Sequence, residues 1–170
     1  MKTPDELKSA ATDLVSDILS RRLRRGGIVT SHPEHFFRCV PLEPEPFPEG
    51  FQVRVNTWRQ WSDATVEYDA DTGELMGWTI FRHADPAHDS ELTREKALEI
   101  AAKEIPIPDG AEVESFYHYD FAPRRRVARI EWRHMHQGLR VEGDYLWVLI
   151  HPQTHRIIEL KRKWRAPRLR

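Results

Sequence analysis

Alternation at a period of two is the feature that most narrows what this chain can become. Val113, Ser115, Tyr117, Tyr119 and Phe121 take every second place in one stretch, among largely polar neighbours. Ala128, Ile130, Trp132 and His134 do the same in the next, and Phe51, Val53 and Val55 alternate with Gln52, Arg54 and Asn56. Successive side chains of a strand point to opposite faces, so this pattern buries one side of a sheet and wets the other. Turn chemistry punctuates the runs at Asp69-Ala-Asp-Thr-Gly73, Pro123-Arg124, Gln137-Gly138 and His151-Pro-Gln-Thr154. Links of that length predict antiparallel pairing. Residues 65–68, 75–82, 141–150 and 156–164 complete the expected strands, with a bulge or kink at Gly143-Asp144.

A different period opens each half of the chain. Leu7, Ala11, Leu14, Val15, Ile18 and Leu19 recur at helical spacing across residues 4–25. Thr3 is placed to cap that helix, Pro4 suits its first position and Glu6 completes a capping box. Gly26-Gly27 ends it. A second helix over 94–104 is capped by Thr93, turns Ala97, Leu98, Ala101, Ala102 and Ile105 inward, and stops at Pro106, Pro108 and Gly110. Residues 28–40 should hold a strand. Four prolines between positions 41 and 49 predict an extended connector. The polar stretch 83–90 reads as the boundary between two domains, 1–88 and 89–170. The expected class is α+β: two helix-plus-antiparallel-sheet units packed together.

Composition removes several function classes. With 26 basic and 27 acidic residues the net charge is -1, so no global attraction draws the chain to nucleic acid or a membrane. Six basic residues without an acid between 161 and 170 form a local patch, read as a charged end of the chain. Asp13 and Asp17 interrupt the only apolar candidate for a leader, and no stretch is long enough to span a bilayer, so the expected location is the cytoplasm. A single cysteine, Cys39, leaves no internal disulfide.

The halves also correspond in detail. Val66-Glu-Tyr-Asp-Ala-Asp-Thr-Gly-Glu-Leu75 can be laid on Val148-Leu-Ile-His-Pro-Gln-Thr-His-Arg-Ile157, with Thr72 over Thr154, and Thr3 corresponds to Thr93. Together with Leu92-Thr-Arg-Glu-Lys-Ala-Leu-Glu-Ile-Ala101, Ile130-Glu-Trp-Arg133 and Gly138-Leu-Arg-Val-Glu-Gly-Asp144, these stretches resemble the PepSY family and the related propeptide domains of thermolysin-like proteases. The resemblance covers about two thirds of the chain as a loose pattern. His155 departs from it, standing where the family has glycine. The resemblance implies a PepSY-like, cystatin-like fold in tandem and a non-catalytic role, such as assisting or inhibiting a peptidase or sensing in an envelope setting.

Searching for chemistry returns little. His134-Met-His136 places two imidazoles on one side of a strand, and His32-Pro-Glu-His35 is a looser pair, yet neither is the helical arrangement of a metalloprotease. A tight metal site also needs a third and a fourth ligand, so no metal and no cofactor are expected. Asp69 and Asp71 lack the remainder of a calcium loop. No phosphate loop and no nucleophile elbow occur, so no catalytic residue is named and no enzyme is expected. Six tryptophans fall in or beside strands. Trp58 and Trp61 sit among polar residues and, with Arg133, His134 and His136, are the candidates for a partner surface, since exposed Trp and Arg favour interfaces. The functional expectation is a binding or regulatory protein for a protein or peptide partner. The alternative is a small-molecule or metal-binding protein with a pocket between helix and sheet. Monomer and homodimer are both compatible with the sequence.

Overall fold

The computed structural model describes residues 2–25, 39–57, 62–82 and 87–165, apart from the side chains of 20–25, 57, 62, 63, 81 and 82. The chain divides into two compact units, Met1–Asp85 and Pro86–Arg170.

In the first unit, α1 (Pro4–Arg25) starts at the capping box the sequence spells out. The Thr3 N–H donates to Glu6 Oε2 at 2.7 Å and the Glu6 N–H donates to Thr3 Oγ1 at 3.3 Å. A cap of this type stabilises by about 1 kcal/mol. Leu7, Ala11, Val15, Ile18 and Leu19 are buried along one stripe, and α1 lies against β1 (Cys39–Pro41), β3 (Gly50–Thr57) and β4 (Ser62–Asp69). β2 (Glu45–Phe47) and β1 both pair with β3, so the proline-rich segment contributes two three-residue edge strands rather than a connector alone. An edge tolerates proline because its N–H side needs no partner. β3 pairs with β4, and β4 with β5 (Leu75–Arg82), all antiparallel. Register stacks Val53, Val66 and Trp78 in one row and Val55, Ala64 and Ile80 in the next, all buried. Burial pushes the Tyr68 hydroxyl up to about 12, with Asp13 adding to the shift. At the β4–β5 turn, Asp69 Oδ1 accepts from the N–H groups of Asp71 and Thr72, and the Gly73 N–H closes on the Asp69 carbonyl.

The second unit holds α2 (Arg94–Glu104), β6 (Ala111–Asp120), β7 (Arg126–His136), β8 (Leu139–Arg140), β9 (Tyr145–His151) and β10 (Arg156–Lys163). Thr93 Oγ1 accepts from the Lys96 N–H at 3.2 Å, the expected cap. The strands run β6-β7-β9-β10, all antiparallel, with β8 folded onto the end of β7. Ala128 faces Ile150, Ile130 faces Val148 and Trp132 faces Leu146. This row is buried, as are Ala97, Ile100, Ala101 and Ile105 from the helix, which lies against β7 and β10. A shift of register between Ile157 and Glu159 turns Ile158 to the opposite face, where it joins Val127 and Leu149 under Tyr119 and Trp147.

Here the turn after β9 replaces a carboxylate with an imidazole. His151 Nδ1 accepts from the Thr154 N–H at 3.1 Å and the His155 N–H closes on the His151 carbonyl. His155 takes φ 57° where Gly73 takes φ 67°. A non-glycine residue can occupy that region at some cost, so the departure from glycine leaves the turn type unchanged.

Two expectations are corrected. The chain is not α+β made of two helix-plus-antiparallel-sheet units: among the described residues antiparallel strands dominate and the two helices are minor. Each half has a single helix against several strands, and α2 is only 11 residues long, about 16 Å at 1.5 Å per residue. The strand expected over 141–150 begins only at Tyr145, because Gly143 at φ 80° leaves the extended region and ends pairing there. The expected strand over 28–40 and the pair His32 and His35 lie outside the described residues, except for its last two positions in β1. No helix among the described residues is long and apolar enough to cross a membrane.

Candidate functional site

β7 carries its last residues, His134-Met-His136, past the end of β9 toward the loop before β6. His134 continues the buried parity of Ala128, Ile130 and Trp132 and is 4% exposed. Its Nδ1 lies 2.8 Å from Asp144 Oδ2. Asp144 follows the left-handed Gly143, and its side chain is fully buried. The carboxylate also accepts the Arg165 backbone N–H at 2.9 Å and the Arg165 Nε–H. Burial acts to raise the Asp144 pKa, but the Arg165 N–H, the His134 imidazole and the Arg165 guanidinium together hold it below the usual carboxylate range. Trp164 stacks on the imidazole, ring centroids 4.3 Å apart and planes 18° from parallel. Arg165 reaches on to the Glu142 carbonyl at 2.6 Å, so the segment after β10 is clasped to the β8–β9 loop.

The same corner forms an open depression of about 320 Å³, walled by Pro108 to Gly110, His134 to His136, Trp164 and Arg165. Gly110 is required there. It takes φ 78°, and a Cβ would sit 2.3 Å from the Met135 carbonyl oxygen and 3.3 Å from His134 Cδ2. Neither a hydroxyl nor a thiol lines the depression. Beneath the end of α2, the gap lined by Ile105, Leu146, Leu160 and Trp164 measures about 20 Å³, room for about one water molecule.

The opposite face of this sheet is different in kind. Alternation turns Arg129, Glu131 and Arg133 away from the helix. Arg129 lays its guanidinium on the Trp147 ring, 3.9 Å from the centroid. Glu131 accepts from Tyr117 Oη at 3.3 Å and Ser115 Oγ at 3.0 Å, and Arg133 donates to Glu112 at 3.1 Å. Tyr117 and Tyr119 stand 6.1 Å apart, and Tyr117 is 42% exposed. Arg129 Nε also lies against Glu131 Oε1 in an ion pair, while the Arg133 Nε–H is buried without a hydrogen-bond acceptor.

The residues singled out from sequence therefore part company. Trp58 and Trp61 lie outside the described residues. Arg133 is on the outward face, whereas His134 and His136 line the depression on the other side, so the three do not form one surface. Sequence reasoning missed Asp144, Trp164 and Arg165. Gly143-Asp144 signalled a kink, and nothing in the spacing says that Asp144 returns to His134. Among the described residues no three of His, Cys, Asp and Glu gather closely enough to hold a metal ion.

No family model matches the chain, and no curated protein sequence matches it. Among solved structures, the Bacillus megaterium YpeB C-terminal domain aligns with 93% of this chain and 67% of its own at 11% identity, with a TM-score of 0.55. A Clostridium difficile 630 protein described as a lipoprotein aligns with 88% of this chain and 92% of its own at 12% identity. Its TM-score of 0.31 is too low for a shared fold. The likeness to the YpeB domain is one of fold alone.

Proposed function

We propose that this chain is a non-catalytic binding or regulatory protein that receives a protein or peptide partner on the outward face of its second sheet. The observation that carries the reading is the lattice of Tyr117, Arg129, Arg133 and Trp147, in which Tyr117 is 42% exposed and Arg129 lies on the Trp147 ring. Arg, Tyr and Trp supply a large share of interface hot spots, because each buries much area while keeping a polar handle. Guanidinium groups on such a face favour a partner that brings carboxylates, since charge-assisted bonds are the stronger kind. Peptidases are the first partner class to try, because the resemblance to PepSY domains implies it.

The test is affinity capture from lysate followed by quantitative mass spectrometry, comparing the wild-type chain with an R129Q/R133Q variant that removes both charges but keeps polar side chains. The reading expects specific proteins recovered by the wild type and depleted at least tenfold by the variant, about 1.4 kcal/mol or more of binding free energy. Equal recovery by both, with circular dichroism showing the variant folded, would remove this face from consideration.

A further inference from the structure

We infer that the depression at the end of β7 is a site for a divalent cation of borderline softness, such as Zn²⁺, Ni²⁺ or Cu²⁺, held by the imidazoles of His134 and His136. The first support is the state of His134. An ionised carboxylate only accepts hydrogen bonds, so the 2.8 Å contact with Asp144 places the proton on Nδ1. In the neutral ring the lone pair then belongs to Nε2, which no described residue hydrogen-bonds. A carboxylate behind an imidazole, fixing its tautomer and raising its basicity, is the arrangement that supports metal-ligating histidines. Asp144 itself is fully buried and held by three donors, and acts as the positioning residue, not as a ligand.

The second support is what shares the depression. His136 lies two residues along the strand, on the same side as His134, and lines the same wall. Asp109 lines it from the facing loop and enters no ion pair among the described residues. Two imidazoles and a carboxylate suit borderline cations, whereas Ca²⁺ and Mg²⁺ want oxygen alone. The positive charge of Arg165 opposes an ion there, but its guanidinium is committed to Asp144 and to the Glu142 carbonyl. The three side chains do not already converge on one point. The ion would therefore sit on two imidazoles with water in its remaining positions, as in an open site, and Asp109 would add to it only by moving.

Chelator-treated protein, with no partner present, is titrated with NiSO₄ and with ZnSO₄ by calorimetry at pH 7.5, and Cu²⁺ is followed by electron paramagnetic resonance. This inference does not depend on the outward face, and the titration leaves that reading untouched. The wild type should bind one ion, with nitrogen couplings in the Cu²⁺ spectrum and a displaced His134 Nε2 resonance in a ¹⁵N imidazole spectrum. H136A should weaken binding at least tenfold. D144N should weaken it roughly 10- to 100-fold without abolishing the nitrogen couplings. His136 is only half-buried, so H136A tests the site even where D144N unfolds. Absence of binding up to about 1 mM metal, an affinity of about -4 kcal/mol, would overturn the inference. So would binding that H136A leaves unchanged.

Discussion

Replacing Asp144 with alanine tests the account of the corner in which His134, Trp164 and Arg165 meet. The carboxylate serves three donors, and they differ in what its loss would cost. The Arg165 guanidinium belongs to a side chain 54% exposed, so it regains water and counts for little. The His134 Nδ1–H belongs to a side chain only 5% exposed, and the Arg165 backbone N–H is bound to the same oxygen. Each bond to a charged acceptor is worth about 1.5–3 kcal/mol. A neutral imidazole can move its proton to Nε2 and recover part of the loss, so the sum falls near the low end, about 3 kcal/mol. With a urea slope of about 2 kcal/mol per molar, the midpoint should fall by about 1.5 M. D144N keeps one acceptor and should lose about half as much. The pH dependence adds a signed check. The folded pKa of Asp144 lies below its ordinary value of 3.8, so its stabilisation is present above that value and disappears as pH falls through the folded pKa. D144A should therefore lose less stability than the wild type on acidification below pH 4. A midpoint shift under about 0.3 M for D144A would refute the reasoning, because a buried carboxylate with three donors cannot be removed so cheaply.

Two further outcomes follow from the same unit. His118 Nε2 accepts the Leu92 N–H at 3.0 Å, and burial lowers its pKa below 6.5, with Glu91 opposing and Arg126 adding. Its stabilisation is complete above pH 6.5 and declines as pH falls from there to the folded value, so urea midpoints of the wild type should drop between pH 7 and 5 and those of H118Q should drop less. Gly110→Ala meets both a left-handed φ and the Met135 carbonyl at 2.3 Å, and should destabilise by about 2 kcal/mol or more by thermal melting, the φ alone accounting for about 1–2; a change under about 0.5 kcal/mol would contradict the packing of the loop on β7.

Local chemistry was legible because its partners are neighbours in the chain. Thr3 and Glu6 are three residues apart, as are Thr93 and Lys96, and each pair meets whenever a helix starts there. Asp69 binds the N–H groups two and three residues ahead, so its turn follows from the residues alone. Alternation likewise assigned the faces of β3 and β7, because the period of a strand is set by backbone geometry. It did not assign that of β6, where a register shift between Val113 and Ser115 sets Phe116 and His118 opposite Ile130 and Ala128 and leaves Tyr117 on the outward face. The overall balance was misread. A capped helix stands out strongly in a sequence and drew weight equal to a sheet, although strands outnumber it several to one in each unit.

The capped helix starts, the turn residues and the burying sides of β3 and β7 were thus settled by the amino-acid order, through contacts within four positions. What the tertiary structure alone decided is which distant groups share a corner. His134 and Asp144 are ten residues apart and Arg165 lies twenty-one beyond Asp144. They meet because β7, β9 and β10 lie side by side and a left-handed glycine turns one loop inward. Arg129 reaches Trp147 for the same reason, since Trp147 pairs with Glu131 across the β7–β9 ladder. Pairing register is a property of whole strands, fixed by the summed burial of their apolar faces, and no short stretch of the chain contains it.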